Sequence, residues 1–255
     1  MATATSSARD ALTGAIIAAG RGSRMNGAFR GLPKTLLPVG GRPVLLHQLD
    51  AMHGLGISRV LLVLGCGRER VIDYLSVVRP EPGTIEVIEQ SSTRGSGDAV
   101  LCLQPHVRGP FALFLGDIFF VPARGSRLLD PVLDGTSDAV VAIVEERDPM
   151  RFHRNFRVVL GPDRRVTRVI EKPPMGETGL KGCGVYSFTP AIFEALERTP
   201  RAANGELGIT DAIQTLIDRG ARVRAECVST FDVNLTTPED LAWCEARLAA
   251  RARVS

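Results

Sequence analysis

An α/β fold on one doubly wound, mostly parallel mixed sheet with a β-hairpin extension is what this sequence predicts, from three observations. Apolar runs of strand length recur at residues 14–18, 60–64, 84–88, 111–115 and 139–144. Strands buried on both faces read as such near-continuous runs, and parallel sheets bury both faces. Helix-length segments at 43–53, 68–78, 97–103 and 126–133 alternate with them, which is the pattern of βαβ units. After Glu146 the pattern changes: runs at 156–160 and 166–170 flank Gly161-Pro162-Asp163, a turn signal that joins them as a hairpin.

The elements follow in order. Residues 1–12 read as a disordered tail, because they are small and polar and carry no basic stretch of the kind that opens a signal peptide. Several of the helical segments begin near Pro or Ser, which favour a first turn. Beyond the hairpin come a strand at 182–188, helices at 190–198 and 209–219, a strand at 222–228 and a last helix from Pro238. No repeat or low-complexity linker interrupts 13–255, so that span is expected to be one domain.

Composition narrows the function classes. A chain of 255 residues, 44% hydrophobic and 23% charged, buries a core without disulfides. Its net charge of +3 is too small to imply a nucleic-acid partner. Cys66, Cys102, Cys183, Cys227 and Cys244 are scattered and form no C-x-x-C pair, so they suit a reducing cytoplasm rather than a zinc site or a disulfide framework. No run approaches the roughly 20 apolar residues that span a bilayer. The sequon Asn234-Leu235-Thr236 means nothing without secretion.

A glycine-rich loop, Ala18-Ala19-Gly20-Arg21-Gly22-Ser23-Arg24-Met25, follows the first strand, and Pro33-Lys34 comes soon after. Glycines let backbone N–H groups approach a phosphate, and Arg24 and Lys34 add fixed positive charge over the same anion. A lone G-x-G would be an ordinary strand-to-helix turn. A dinucleotide fingerprint needs a third glycine where Met25 stands, and a Walker loop needs G-K-[ST] after its second glycine; neither occurs.

The loop together with Leu32-Pro33-Lys34-Thr35-Leu36-Leu37-Pro38-Val39 and Gly41-Arg42-Pro43-Val44 resembles the sugar-phosphate nucleotidyltransferases, also called nucleotide-sugar pyrophosphorylases. The resemblance extends from about Gly14 to about Leu248 and implies a Rossmann-like sheet with its site at the strands' carboxyl ends. It implies nucleotide binding by Ala18, Ala19, Gly20, Gly22, Gln90, Gly95 and Ser96, with Gln90 and Gly95-Ser96-Gly97-Asp98-Ala99 reading the base. It also implies Mg²⁺ as cofactor, held by Asp117 of Leu115-Gly116-Asp117 and by Asn234, with Asp232 in reserve. Mg²⁺ takes few carboxylates and fills its octahedron with water and phosphate oxygens. In Glu171-Lys172-Pro173, Lys172 would meet the sugar phosphate and Glu171 the hydroxyls, and Gly184 would let the sugar approach the wall strand. The hairpin would then form the sugar-side wall. Where Gly182 stands, the branch of the family that uses N-acetylglucosamine 1-phosphate usually carries Asn. Glu206 and Thr210-Asp211 match a segment read as structural or as a subunit contact. The four histidines fall outside every motif.

The reaction so implied joins an NTP to a sugar-1-phosphate and releases pyrophosphate. Arg24, Lys34 and Lys172 would serve as its catalytic cations. The partners expected are these two substrates, with no nucleic acid and no membrane; homo-oligomerisation stays open. The competing readings are cytidylyl or other nucleotidyl transfer to a polyol phosphate, phosphonate or phosphocholine, and a silent nucleotide-sugar-binding regulatory subunit. Retention of Arg24, Lys34, Asp117 and Lys172 argues for the enzyme.

Overall fold

The computed structural model describes residues 12–20, 29, 31–78, 80, 83–90, 94–123 and 125–252. Strand β1 (Thr13–Ala18) is followed by a short antiparallel pair, β2 (Pro38–Val39) and β3 (Arg42–Pro43). Strands β1, β4 (Arg59–Leu64), β5 (Thr84–Glu89) and β6 (Phe111–Leu115) lie side by side in the order β5-β4-β1-β6, all parallel. Next to β6 runs β11 (Gly179–Phe188), antiparallel to it; beyond are β8 (Ala139–Glu146) and β12 (Val223–Glu226), parallel to each other. This is the mixed, mostly parallel sheet that the sequence implies, with β11 as the one reversed member of the row. The hairpin is also where the sequence puts it: β9 (Phe156–Leu160) and β10 (Val166–Glu171) pair antiparallel, and β9 joins the sheet at Lys181 of β11. Asp163 and Arg164 both adopt positive φ at its tip, the twist a tight hairpin requires.

Alternation across the strands makes two cores. Ala15, Ile17, Leu61, Val63 and Leu113 face one layer, with Ala99 and Val100 of α3 (Ser96–Leu101), Ile192 and Phe193 of α6 (Ala191–Arg198) and Ile213 of α7 (Ile209–Asp218). Ile16, Leu62, Ala112 and Phe114 face the other, where Leu45 and Met52 of α1 (Val44–Gly54) and Val71 of α2 (Arg68–Val78) cover them. A segment of the sequence predicted as helix over 126–133 is helical only in α4 (Asp130–Leu133). Leu128 and Leu129 are buried there by packing rather than by helical periodicity.

The sequence does not foretell a second, two-stranded sheet. β7 (Ile118–Pro122) and β13 (Ser229–Asn234) pair antiparallel, and a third core of Leu37, Val39, Phe119, Phe231, Val233 and Leu235 joins them to α8 (Pro238–Ala252). Thr237 and Asp240 cap α8 reciprocally: the Thr237 N–H donates to Asp240 Oδ2 at 2.9 Å and the Asp240 N–H to Thr237 Oγ1 at 3.4 Å. Helix α5 (Pro149–His153) is capped by Asp148, which accepts from the Met150 and Arg151 N–H groups. Of the expected tail, Leu12 is buried, and residues 1–11 lie outside the described residues.

Candidate active site

Two adjoining pockets open where the parallel strands end, the place at which open α/β sheets hold ligands. The first, about 550 Å³, is lined by Ala18, Ala19, Gly20, Lys34, Thr35, Gln90, Gly95, Ser96, Asp117 and Asn234 among others. The second, about 320 Å³, takes in Arg154, Asn155, Phe156, Glu171, Lys172 and Gly184. Gly95, Ser96, Leu115, Glu206 and Asn234 line both, so the two form one cleft with a shared wall. Gly22 and Arg24 lie outside the described residues. A third cavity, about 580 Å³, sits between α1 and β7. Its walls are largely apolar, and His47 and Asp50 are the titratable groups among its described lining. Polyanion chemistry therefore belongs to the polar cleft.

Backbone pairing explains why distant residues meet. Asn234 faces Ile118 in the β7–β13 register, and the Leu235 N–H donates to the Asp117 carbonyl at 2.8 Å. The Gly116 N–H donates to the Ile17 carbonyl, which anchors the same turn to β1. Lys34, in a short 3₁₀ turn, donates from Nζ to Asp117 Oδ2 at 2.8 Å, with side chains 17% and 29% exposed. Gln90 extends the β5–β4 ladder through its N–H to the Leu64 carbonyl. Its buried Nε2 finds no partner among the described residues, nor does Thr35 Oγ1. A buried donor left unpaired costs about 1–3 kcal/mol, so these atoms are suited to a ligand entering the first pocket.

The loop at Gly95 is held by the far end of the chain. Gly95 has φ +108, and a Cβ there would lie 2.3 Å from the Leu207 carbonyl oxygen, so neither the conformation nor the space admits a side chain. The Gly97 N–H donates to that oxygen and the Leu207 N–H to the Arg94 carbonyl, both at 2.8 Å. Arg201 clamps Asp98 with two 2.7 Å bonds. Glu206 rides on this segment into both pockets, a position the sequence reading did not give it.

On the other wall, Lys172 sits at φ +47, an uncommon conformation for a side-chain-bearing residue, with its N–H donating to the Asn155 carbonyl at 3.0 Å. Burial within the surrounding protein raises the Glu171 carboxyl above the usual range, against the lowering effects of a bond from Thr210 and of the Lys172 charge. Gly184 lines the second pocket. At Gly182 the Phe156 ring occupies the space of a side chain: a Cβ would fall 1.8 Å from its Cζ. A bulkier residue at 182 would need the ring to leave.

Asp232, the reserve metal ligand, is engaged elsewhere. It is 6% exposed and accepts from Lys181 Nζ at 2.8 Å, with Glu146 3.7 Å from the same ammonium. It lines neither of the two main pockets. Burial pushes its carboxyl up while Lys181 pulls it down. Lys181→Met is expected to cost about 3–5 kcal/mol, because it strands a buried carboxylate. Lys181→Met with Asp232→Leu should recover most of that loss; urea denaturation of the three proteins is the check.

Among the described residues no group of three or more His, Cys, Asp or Glu could hold a metal. The first pocket offers two carboxylates, Asp117 and Glu206, and of these Asp117 is tied through its backbone carbonyl to the strand end that carries the Asn234 amide. That sparse oxygen set fits Mg²⁺ when phosphates and water complete its shell.

The fold and this cleft define a nucleotidyltransferase, and the comparisons agree: the chain belongs to the MobA-like NTP transferase domain family, which matches residues 14–161. It is 32% identical over 234 residues to the UTP–glucose-1-phosphate uridylyltransferase AglF of Haloferax volcanii, covering 91% of this chain and 95% of that one. It is 28% identical over 208 residues to the bifunctional protein GlmU of Methanococcus maripaludis, covering 80% of this chain but 47% of GlmU, about half its length. A UDP-glucose pyrophosphorylase solved with UDP-glucose superposes with a TM-score of 0.82 at 22% identity, over 94% of this chain and 99% of the other. The class expected from the sequence, a nucleotidyltransferase acting on sugar 1-phosphates, is the class of AglF.

Proposed function

We propose that this protein transfers a nucleotidyl group from an NTP to a sugar-1-phosphate, with a uridylyl or thymidylyl donor and glucose 1-phosphate as first choices. The observation that carries the reading is the continuous cleft in which Asn234 lines both pockets and the Lys34–Asp117 pair stands in the first. AglF and the UDP-glucose pyrophosphorylase support a uridylyl donor and glucose, and a putative glucose-1-phosphate thymidylyltransferase from Bacillus anthracis, which superposes with a TM-score of 0.78 at 24% identity over 93% of this chain and 95% of that one, keeps a thymidylyl donor beside it. The unpaired Gln90 amide is a donor for a pyrimidine carbonyl.

In this reading the first pocket takes the NTP and the second the acceptor. An acceptor phosphate oxygen attacks the α-phosphorus and pyrophosphate leaves in line. The second phosphate pKa is about 6, so the acceptor is already ionised and no general base is needed. The barrier is repulsion between two polyanions. Lys34 and Arg24 offset it on the triphosphate, Lys172 offsets it on the acceptor, and all three fix geometry. Mg²⁺, held by Asp117 and Asn234, would supply further charge neutralisation on the phosphates. Glu171 would hold the sugar hydroxyls, and the span 13–255 acts as one domain. Five free thiols suit the cytoplasm, and among the described residues no helix is long and apolar enough to cross a membrane.

Incubation with each of five NTPs and a panel of sugar 1-phosphates, following pyrophosphate release, tests the reading. Turnover with phosphocholine or polyol phosphates alone would replace it with the competing acceptor class. As for the second metal ligand, Asn234→Ala should depress turnover with the melting temperature held. Asp232→Ala should instead lower the melting temperature, since it strands Lys181. The reverse pattern in paired melting and kinetic measurements would move the ligand to Asp232.

A further inference from the structure

Arg154 follows α5 and lines the second pocket with Lys172 and Asn234. It also lines a gap of about 20 Å³ beside Lys181, Asp232 and Asp240. Its side chain is 46% exposed, and its one ion-pair partner among the described residues is Asp240, met by Nη1 at 3.2 Å. That carboxylate is already in use, because its Oδ2 accepts the N–H groups of Thr236 and Thr237. A guanidinium carries five N–H donors in a planar fork matched to two phosphate oxygens. One bond to Asp240 leaves most of that fork for a ligand.

The second pocket is otherwise acidic, with Glu171, Glu206 and Asp211 in its lining. A phosphate entering it is opposed by three carboxylates and met, among the described residues, by two cations, Lys172 and Arg154. The backbone joins those two, since the Lys172 N–H is bonded to the carbonyl of Asn155, the residue next to Arg154. One exposed ammonium is a weak counter to three carboxylates, and a bidentate guanidinium redresses the balance.

We propose that Arg154 is a second ligand of the acceptor phosphate, binding it through two N–H groups alongside Lys172. The proposal rests on the sugar-1-phosphate reading above. Its test is steady-state kinetics on Arg154→Ala, Arg154→Lys and Asp240→Asn with UTP and glucose 1-phosphate varied, plus calorimetric titration of glucose 1-phosphate and of inorganic phosphate. Arg154→Ala should raise the acceptor KM roughly 10- to 100-fold and leave the UTP KM within about twofold. Arg154→Lys should recover part of the loss, because it restores charge without the fork. Asp240→Asn keeps an oxygen for the helix cap and frees the guanidinium, so the acceptor KM should hold or fall. A purely structural Arg154–Asp240 pair would make Asp240→Asn as harmful as Arg154→Ala, which would overturn the proposal. So would an unchanged acceptor KM in Arg154→Ala, or a rise in the UTP KM instead. If the unaltered protein turns over no sugar 1-phosphate with any NTP, the activity reading is what fails. Phosphate titration then decides Arg154 alone: weaker binding in Arg154→Ala supports it, and equal binding removes it.

Discussion

Asp117→Ala is expected to lower kcat on the order of 10³-fold or more while the melting temperature stays near that of the unaltered protein. The fold does not rest on this carboxylate. Its side chain is partly exposed and bonds Lys34, and the turn that carries it is held by the Gly116 and Leu235 backbone bonds, which the substitution leaves intact. The chemistry does rest on it in the proposed mechanism, because it is the first-pocket carboxylate whose backbone is bonded to the strand end carrying Asn234, the amide offered with it to a divalent ion. Kinetics across a Mg²⁺ titration, with melting curves beside them, would read both effects. Full turnover of the unaltered protein in excess EDTA would remove the metal from the mechanism, whatever Asp117→Ala does.

Lys34→Ala should depress kcat by a factor equivalent to about 2–4 kcal/mol, the scale for losing one preorganised electrostatic partner. Lys34 is paired with Asp117; in the proposed mechanism its ammonium would turn to the charge accumulating on the departing pyrophosphate once nucleotide and metal are bound. That is a transition-state event, so kcat carries the loss. Lys172→Ala removes an ammonium from the acceptor pocket and should mainly raise the apparent KM for the sugar phosphate, with a smaller effect on NTP binding. Varying both substrates separates the two. An unchanged acceptor KM in Lys172→Ala, with weakened NTP binding, would move the Glu171-Lys172-Pro173 station off the sugar side.

The middle strands β1, β4 and β6 are legible in the sequence because they are buried on both faces: residues 60–64 of β4 are all buried, and an apolar run of that length suits a covered parallel sheet. The β7–β13 pair is not legible in the same way. Its strands sit far apart in the chain and pair with each other, so the signal is only the run Ile118-Phe119-Phe120-Val121 directly after the Asp117 turn. The same division holds in the cleft. Residues on the carboxyl ends of β1, β5 and β6 announce themselves by type and spacing. Glu206 and Arg154 do not, because their places depend on Leu207 seating against Gly95 and on Lys172 bonding Asn155.

The buried Lys181–Asp232 pair gives β13 an index mark. Phe231, Val233 and Leu235 are all buried at a period of two, so hydrophobic alternation rejects a one-residue slip of the strand but is blind to a slip of two. A two-residue slip would set Asn234 opposite Lys181 and carry it away from Asp117, with every apolar residue still facing inward. The charge pair opposes that slip, since an amide cannot neutralise a buried ammonium. In the proposed mechanism a carboxylate outside the chemistry thus helps set which side chain is delivered to it. Length changes in the chain should accordingly not be tolerated between Ser229 and Asn234.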